Sequence, residues 1–595
     1  MCGIAGIVAQ DAIRYSETIN GMIGTLEHRG PDETGRFFFS QCLLGHTRLS
    51  IVDLSCGQQP MPDYSGRTAI TFNGEIYGYQ AIKSKIKDYP FKTNSDTELI
   101  LAMYQRYREN LPQHLPGMFA FAIWDENLQQ LVCARDRFGE KPFFYAFGRN
   151  GEFIFSSEIK SIISTGMIEP VLSKKALTHF LRRLYIHPQE TVYENIFTLP
   201  PAHCLIWKNG EISISRYWHM PQSNDSIDLQ EAIPEFQRLL RQSVARQLVA
   251  DVPVGAFLSG GLDSSTIVAL ASEYKNKITT MSFGFESGAN ELEYAREIAK
   301  RYNTNHIELR DSDSNIADLL LLMQKIYDEP FADSSNIPTF LISKLAREHV
   351  TVVLTGDGAD ELLGGYSWYK TLLYMESNDP LQMVRMIWNS FKKNTQTRSY
   401  LKGKYLAGKY KNLLEAHKFQ NDCFKSESLI SLGLQNPRGK ILEREYSLDD
   451  VMKLDLEDYM PGDILVKIDR ASMANSLELR APFLDVDFSS FCISLPHRLK
   501  VNMKADKIIL RKAFEDKWTN NIRTRKKQGF GAPVNSWLKQ KDVQLLKADY
   551  LEKDNLKIYN LLDKATVKKF IHKDDYQTWT LLVLSMWMEA HDFTL

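Results

Sequence analysis

Short apolar runs alternate with helix-compatible stretches in the second half of the chain. The run 254–258 leads into a Ser/Gly-rich loop and then into the apolar stretch 266–274, which suits a helix. The runs 278–285 and 352–354 have the same apolar character, and the second of them also enters a Gly-rich loop. An alternation of strands and helices predicts a parallel, doubly wound sheet, and ligands of such sheets bind at the carboxyl ends of the strands.

Strand-like runs and turns dominate the first third of the chain. The segment 45–55 is β-rich, and the dipeptide Asn73–Gly74 in the segment 72–79 predicts a tight hairpin turn. Ser95 or Asp96 is placed to cap a helix with acidic residues in its first turn. A second Asn–Gly pair, at 209–210, predicts another hairpin.

The length of 595 residues predicts two or more domains, because single cores rarely grow beyond about 250–300 residues. We place an N-terminal domain at 2–165 and a C-terminal domain at 231–595. The segment 166–230 connects them through the second hairpin and a polar, Pro-containing linker.

Composition excludes several classes of function. The formal net charge of −1 provides no basic field to attract nucleic acid. Seven cysteines, an odd number scattered along the chain, do not suggest a disulfide framework and fit a reducing, cytoplasmic setting. No run reaches 18 apolar residues, so no membrane span is expected. The N-terminus lacks a basic region and predicts a buried strand instead of a signal peptide.

The loop after the run 254–258 concentrates groups that bind phosphate. Adjacent Gly260 and Gly261 let the backbone approach a ligand without a Cβ in the way. The first N–H groups of the following helix favour an anion, and three serine hydroxyls add donors. The negative charge of Asp263 fits this setting when a Mg²⁺ ion bridges carboxylate and phosphate. The loop therefore predicts a phosphate site, although it is not the GxxxxGK[ST] loop.

The second Gly-rich loop, at 355–361, is acidic. It is expected to face the phosphate loop across the top of the sheet, so that Asp263 and Asp360 share a Mg²⁺ ion on the phosphates of ATP. Lys467, in the helix-like stretch 463–485, is the predicted cation that neutralises departing pyrophosphate. The basic run 523–527 beside a glycine loop is expected at the edge of a site or in solvent.

Cys2 directly follows the initiator methionine. Removal of Met1 would give Cys2 a free α-amino group, whose ordinary pKa near 8 suits it as a base for the thiol of the same residue. Position alone leaves a second interpretation open, in which Cys2 is a small buried hydrophobic residue of a first strand.

The neighbouring motifs favour the nucleophile. Arg48 suits a carboxylate, Glu75 and Asp96 suit an ammonium, and the Asn73 amide with the Gly74 N–H suits an oxyanion. A molecule that carries a carboxylate, an ammonium and a hydrolysable amide is glutamine.

Seven segments in the first 160 residues resemble the class II, N-terminal-cysteine glutamine amidotransferase domain. They are MCGIAG, EHRGPDETG, GHTRLSIVD, FNGEIYGY, SDTE, PGMFAFAIWD and RDRFGEKPFFY. The resemblance implies an αββα sandwich of the N-terminal-nucleophile hydrolase type, with Cys2 as nucleophile and with Asn73 and Gly74 as the oxyanion hole. It implies that glutamine is bound by Arg48, Leu49, Ser50, Ile51, Val52, Asp53, Asn73, Gly74, Glu75 and Asp96.

Four later segments resemble the synthase domain of the glutamine-hydrolysing asparagine synthetases, within the ATP-pyrophosphatase (PP-loop) superfamily. They are SGGLDSS, EPFADSS, TGDGADELLGGY and KIDRASMANSLELRAPFLD. The resemblance implies an adenine-nucleotide alpha-hydrolase-like sheet with added helices, the cofactors ATP and Mg²⁺, an ammonia tunnel between the domains and a homodimer. It assigns ATP and pyrophosphate binding to Leu258, Ser259, Gly260, Gly261, Leu262, Asp263, Ser264, Ser265, Phe285, Thr355 and Gly356.

The implied activity is that of a carbon–nitrogen ligase with glutamine as nitrogen donor. ATP adenylates a carboxylate, and ammonia from glutamine displaces AMP to leave an amide. Asp357, a candidate catalytic residue, stands where the familiar asparagine synthetases carry a glutamate. The expected acceptor is therefore aspartate, with a sugar uronic acid of surface-polysaccharide biosynthesis as the alternative.

Three other hypotheses differ in class. A non-catalytic scaffold disagrees with intact Cys2, Asn73, Asp263 and Asp360. A phosphoribosyl-type amidotransferase has no need of SGGLDSS, and a β-lactam-forming relative is expected to lack a working Cys2.

Overall fold

The computed structural model describes residues 1–285, 291–311, 314–376, 395–435, 445–525 and 531–595. Residues 526–527 of the predicted basic run and the side chain of Phe285 lie outside the described part.

Two six-stranded antiparallel sheets form the N-terminal half of the molecule. The first sheet contains, in spatial order, Ile196–Thr198 (β10), Phe144–Phe147 (β8), Phe153–Ser156 (β9), Gly3–Val8 (β1), Cys42–Arg48 (β3) and Glu33–Phe38 (β2). The second contains Glu211–Arg216 (β12), His203–Lys208 (β11), Gln130–Arg135 (β7), Gly117–Asp125 (β6), Thr68–Ile76 (β5) and Met61–Pro62 (β4).

The inner faces of these sheets pack on each other, and helices cover the outer faces. Ile4 and Phe155 of the first sheet share a buried cluster with Trp124 of the second. The helices Ser16–Thr25, Ile159–Ile163 and Lys174–Arg183 lie on the first sheet, and Tyr79–Lys83 and Asp96–Tyr107 lie on the second. The predicted αββα sandwich is confirmed.

The prediction of a hairpin turn at Asn73–Gly74 is wrong. Both residues lie inside β5 and pair with Ala120 and Phe119 of β6. Gly74 is required there because a Cβ would lie 2.1 Å from the carbonyl oxygen of Met118. The glycine therefore marks a close approach of two backbones, which sequence does not distinguish from a turn.

The second predicted hairpin forms, with its turn at 209–210, but it belongs to the sandwich. Its first strand, β11, pairs with β7 of the second sheet. The sandwich therefore continues to Arg216, beyond the boundary placed at 165.

A five-stranded sheet with only parallel pairs forms the core of the C-terminal half. Its spatial order is Asn305–Asp311 (β15), Thr279–Phe285 (β14), Val254–Phe257 (β13), Val352–Leu354 (β16) and Glu478–Arg480 (β17). The chain proceeds from β13 toward one edge and returns at β16 toward the other. The crevice between the loops after β13 and β16 is thus the switch point at which ligands of such sheets bind.

Helices cover both faces of this sheet, which confirms the doubly wound architecture. Leu229–Gln247, Leu262–Tyr274 and Glu291–Arg301 pack on one face, and Asn336–Arg347 lies on the other. The stretch 463–485 is only partly helical: after the helix Leu465–Met473 the chain enters β17, so that Glu478 and Arg480 lie on a strand.

The remaining described helices complete the C-terminal half and its attachment to the sandwich. They are Ile316–Ile326, Ala359–Leu363, Ser367–Glu376, Thr395–Lys409, Leu413–Asn421, Ser426–Ser431, Leu448–Glu457, Val486–Ser494, Ile508–Ala513, Asn520–Thr524, Val534–Trp537, Lys541–Lys547, Lys564–Ile571 and Tyr576–Ala590. None of the helices in the described ranges is long and apolar enough to cross a membrane.

One hydrophobic core runs through both halves. Ile7 and Leu177 of the sandwich side belong to the same buried cluster as Met323 and Trp587 of the C-terminal half. The last described residues add a backbone link, because Leu172 N donates to Thr594 O at 2.9 Å. The two halves are therefore joined by packed apolar surface.

Candidate active sites

Cys2 lies directly before β1 and contacts Asn73 and Arg29. The residue is buried, its backbone N–H donates to Asn73 Oδ1 at 2.9 Å, and Arg29 Nε donates to its carbonyl at 3.2 Å. Burial raises the pKa of the Cys2 thiol, while the N-terminal ammonium and Arg48 offset part of that rise. A thiol that resists ionisation needs a nearby base, and the α-amino group of a chain that begins at Cys2 would supply one.

The side-chain N–H donor of Asn73 is available to a ligand. The residue is fully buried, its Oδ1 accepts from Cys2, and its Nδ2 has no hydrogen-bond partner among the described residues. A buried N–H group without a partner is costly unless a ligand satisfies it. The amide is thus available to an oxyanion that forms beside the thiol.

Arg48, one of the residues predicted to bind glutamine, has a different partner from the expected one. Its guanidinium pairs with Glu33 at 3.0 Å and donates to the carbonyls of Val52, Asp53 and Leu54. These bonds fix the loop that contains the predicted pocket residues Leu49, Ser50, Ile51, Val52 and Asp53. In this conformation, the Arg48 guanidinium forms its ion pair and hydrogen bonds with oxygen atoms of the protein, and it shapes the pocket wall.

Glu75 and Asp96 are the acidic groups predicted to meet the glutamine ammonium, and both are buried. Burial raises the pKa of Glu75, although Arg480 lies 3.2 Å from its carboxylate and opposes the rise. Burial also raises the pKa of Asp96, to about 6, even though Asp96 Oδ2 accepts from Ile76 N at 2.9 Å. An arriving ammonium favours the ionised forms of both groups.

Two residues of this pocket come from the C-terminal half, and sequence reasoning gave neither a role here. Glu478 Oε2 lies 3.0 Å from the Met1 ammonium, and both side chains are 1% exposed. Burial alone would raise the pKa of Glu478, but the N-terminal ammonium and Arg480 hold it at about 2. Arg480 O also accepts from Thr355 N at 2.8 Å, so β17 contacts both sites.

The second site is a cavity of about 460 Å³ at the switch point of the parallel sheet. Its apolar end is formed by Phe257, Met281 and Phe283, and its polar wall by the two loops. The cavity brings together most residues of the predicted nucleotide site, namely Leu258, Ser259, Gly261, Leu262, Asp263, Ser264, Thr355, Gly356, Asp357, Asp360 and Lys467. The predicted residues Gly260 and Ser265 do not line it; Ser265 is fully buried in the helix Leu262–Tyr274.

Hydrogen bonds between two of its own serines stabilise the phosphate loop. Ser259 N donates to Ser264 Oγ at 3.2 Å, and the two hydroxyl oxygens are 3.0 Å apart. Gly260 has φ +66°, and a Cβ there would lie 2.5 Å from Tyr294 Cβ. The two loops are in contact, because a Cβ at Gly356 would lie 3.0 Å from Asp263 Cβ.

Asp263 and Asp360 come together, as predicted, and share a cation that the sequence did not indicate. Lys507 Nζ pairs with Asp263 Oδ2 and lies 2.6 Å from Asp360 Oδ1. Burial alone would lower the pKa of Lys507, but the two carboxylates raise it, so the group is an ammonium. Lys507 lies 244 positions from Asp263, and no motif around it points to this contact.

Lys467 also lies on the cavity wall, with Asp357 nearby. Lys467 Nζ pairs with Asp333 at 2.8 Å, and Asp333 and Asp463 raise its pKa against the effect of burial. Burial raises the pKa of Asp357, while Thr355 and Lys467 oppose the rise. The Lys467 ammonium and the Asp357 carboxyl, whose pKa is raised, thus both line the cavity.

Family models match both halves of the chain. The asparagine synthase model matches residues 235–589, and the glutamine amidotransferase domain model matches residues 1–218. The chain belongs to the asparagine synthase family. It is a carbon–nitrogen ligase that takes nitrogen from glutamine, and the family uses ATP.

Relatives match the chain along nearly its whole length. It is 32% identical to asparagine synthetase [glutamine-hydrolyzing] 1 of Bacillus subtilis (strain 168), over 99% of this chain and 96% of that protein. It is 31% identical to a putative asparagine synthetase [glutamine-hydrolyzing] of Mycobacterium bovis, over 99% and 97%. A protein named amidase chry2 of Gibberella zeae is 27% identical over 90% of each chain.

A buried ion cluster links the surroundings of Cys2 to the helix that carries Lys467 in this asparagine synthase family member. Arg29, fully buried, donates to both oxygens of Asp469 at 2.9 Å, to Glu158 at 2.8 Å and to the Cys2 carbonyl. A small cavity of about 50 Å³ lies beside the cluster and has walls from both halves, including Phe144, Ile186, Glu329, Asp469 and Arg470.

Replacement of Arg29 by Met is expected to lower the free energy of unfolding by about 3–5 kcal/mol, because buried Asp469 loses its bidentate partner and buried Glu158 loses one of its cations. We assign Arg29 a sealing role between the halves because it bonds both the Cys2 carbonyl and Asp469, so its replacement is also expected to raise the ratio of glutamate formed to amide formed. Equilibrium denaturation and paired product assays measure the two effects. Arg238→Met, at an exposed pair with Glu235, is the control and is expected to change neither quantity. An unchanged product ratio in a destabilised Arg29→Met protein would remove the sealing role.

Proposed function

We propose that the chain converts L-aspartate, L-glutamine, ATP and water to L-asparagine, L-glutamate, AMP and pyrophosphate. The observation that carries this proposal is the cavity of about 460 Å³, which is lined both by the phosphate loop and by Glu361, Tyr366 and Tyr459. The buried thiol at Cys2 would release from glutamine the ammonia that the reaction in the cavity requires. The predicted homodimer stays a prediction.

In the proposed glutaminase reaction, the Cys2 thiol gives its proton to its own α-amino group and attacks the side-chain amide of glutamine. Asn73 Nδ2 and the Gly74 N–H hold the oxyanion, and ammonia leaves as a thioester forms. Glu75 and Asp96 hold the glutamine ammonium in place. Water then hydrolyses the thioester to glutamate.

In the proposed synthase reaction, the acceptor carboxylate attacks the α-phosphate of ATP and pyrophosphate leaves, which gives an acyl-adenylate. Ammonia attacks the acyl carbon, AMP departs, and Asp357, which lines the cavity, takes the proton that nitrogen loses. Lys467 neutralises charge that develops on the phosphates. Ser259 and the first N–H groups of the helix Leu262–Tyr274 hold the pyrophosphate.

A Mg²⁺ ion would be held by Asp263 and Asp360, whose carboxylates converge on one ammonium and offer the hard oxygens that this ion prefers. When bound, it neutralises charge on the phosphates of the nucleotide. The described residues include no group of three or more candidate ligands, which fits an ion that is completed by substrate phosphates and water.

The polar end of the cavity favours aspartate over a uronic acid. Glu361 lines that end and accepts from Tyr366 O–H at 2.6 Å, with Tyr459 beside it. A carboxylate flanked by aromatic rings suits the α-ammonium of an amino acid.

An acceptor screen tests the proposal. Pyrophosphate release from ATP, with ammonia as nitrogen source, is expected to depend on L-aspartate and to show no response to nucleotide-linked uronic acids. L-glutamate, which is longer by one methylene, is the matched control and is expected to react at least about tenfold more slowly. Release that depends on the uronic acid and not on aspartate would replace the proposal with its alternative.

A further inference from the structure

A buried carboxylate holds two aromatic side chains near the synthase cavity. Asp455 lies on the helix Leu448–Glu457, and its side chain is 5% exposed. Its Oδ2 accepts from Tyr369 O–H at 2.6 Å and from Trp368 Nε1 at 3.2 Å. Its Oδ1 lies 2.7 Å from His417 Nε2. Three side chains thus converge on one carboxylate, which does not itself line the cavity.

Trp368 connects this carboxylate to the cavity wall. Its indole ring stacks on the ring of Tyr366, with the centroids 3.9 Å apart and the planes 14° apart. The Tyr366 hydroxyl donates to Glu361 at 2.6 Å, and both of these residues line the cavity. Tyr459, which also lines it, packs edge-on against both rings, 5.7 Å from Tyr366 and 5.8 Å from Trp368. A continuous series of contacts therefore runs from Asp455 to Glu361.

Apolar packing fixes the helices that supply these side chains. The helices Ser367–Glu376, Leu413–Asn421 and Leu448–Glu457 share one buried cluster, to which they contribute Tyr369, Leu372, Ala416, Val451 and Met452. The short helix that carries Glu361, Ala359–Leu363, is joined to the first of them by only the residues 364–366. The place of the Asp455 carboxylate is thus transmitted to the cavity over a short, packed path.

The hydrogen bond to Asp455 adds a constraint that ring stacking does not provide. Stacking sets the distance between the Trp368 and Tyr366 rings, whereas an N–H···O bond also sets a direction, because such bonds weaken steeply when they bend. Trp368 therefore keeps one orientation, and Tyr366 keeps its hydroxyl on Glu361. This orientation matters at a binding site, because a misplacement of about 1 Å can cost about 10²-fold in rate.

We propose that Asp455 is a positioning residue for an amino-acid acceptor. Through Trp368 and Tyr366 it holds the Glu361 carboxylate where the α-ammonium of the acceptor binds. Asp455, Trp368 and His417 all lie outside the segments that carry the family resemblance. The inference rests on the proposed function, because that function assigns the acceptor ammonium to Glu361.

Asp455→Asn in the full-length chain tests the inference, with pyrophosphate release measured at saturating ammonia. The substitution keeps the size of the side chain but places an NH₂ group where the carboxylate accepted a hydrogen bond. The KM for L-aspartate is expected to rise at least about tenfold, while the KM for ATP and the rate of glutamine hydrolysis stay within about twofold of wild type. A role in stability alone would not move the KM for aspartate selectively.

Asp449→Asn is the matched control. Asp449 lies on the same helix and also pairs with a histidine, His497, at 2.9 Å, but its other partner is Lys500 instead of an aromatic ring. This variant is expected to leave the KM for L-aspartate unchanged. A rise in that KM equal to the rise in Asp455→Asn would overturn the inference, because the effect would then belong to the helix and not to the aromatic contacts.

Two substitutions of Trp368 test the same contacts without a change at the buried acid. Trp368→Leu removes the ring and is expected to raise the KM for L-aspartate as Asp455→Asn does. Trp368→Phe keeps a ring to stack on Tyr366 without the N–H donor, and an intermediate KM is expected. A KM for L-aspartate within about twofold of wild type in Trp368→Leu, or an equal rise in the KM for ATP, would overturn the inference. Wild-type protein that shows no aspartate-dependent pyrophosphate release would instead overturn the proposed function, and this inference with it.

Discussion

Cys2→Ala is expected to abolish glutamine-driven synthesis, by at least about 10⁴-fold, and to leave ammonia-driven synthesis near the wild-type rate. The substitution removes the only atom proposed to attack the amide, but it changes no residue of the synthase cavity. Loss of one buried sulfur beside Asn73 is a small change in packing. Product assays with glutamine and, separately, with ammonium salts measure the two activities.

Cys2→Ser is the matched variant for this experiment. It keeps the size of the side chain and a hydroxyl donor, but a hydroxyl is a much weaker nucleophile at neutral pH than a thiol. We expect it to follow Cys2→Ala in both assays. If ammonia-driven synthesis disappears along with glutamine-driven synthesis in both variants, the assignment of the two reactions to separate sites is wrong.

Lys467→Met is expected to have the reciprocal effect. Pyrophosphate release should fall by at least about 10²–10³-fold, because a fixed charge directed at the reacting phosphates is lost and Asp333 is left without its partner. Glutamine hydrolysis should persist, since Lys467 lies in the synthase cavity. A pyrophosphate assay and a glutamate assay on the same preparation measure the two results.

Lys467→Arg distinguishes charge from structure. It restores the cation with a bulkier group, and we expect it to recover part of the pyrophosphate release while it keeps the pair with Asp333. A Lys467→Met protein that retains full pyrophosphate release would exclude this residue from the reaction. A protein that loses glutamine hydrolysis as well would show that the change has disturbed the shared core.

The contiguous parts of both sites were predictable from the sequence. Cys2, Asn73 and Gly74 could be placed in one pocket, and the loops around Asp263 and Asp360 could be placed at one sheet edge. Each set lies on short segments whose chemistry is visible in local spacing. Parallel topology then brings the ends of neighbouring strands together without further information.

The rest depends on contacts between distant parts of the chain. Arg29 meets Asp469 across 440 positions, and Lys507 meets Asp263 across 244. Arg29 lies in a Gly/Pro turn and Lys507 directly before a helix, and neither local pattern indicates the distant partner. The error at Asn73–Gly74 has a related cause, because only the neighbouring strand shows why a glycine is needed there.

The core shared by the two halves makes this enzyme a single unfolding unit. A protease that cuts the polar linker near 220–228 would leave two fragments with Leu177, Met323 and Trp587 still packed together. Either fragment produced alone would expose that apolar surface to water and aggregate. The two activities therefore cannot be separated by dividing the gene at the boundary between its sheets. Uncoupling them has to proceed through point changes at the sites themselves.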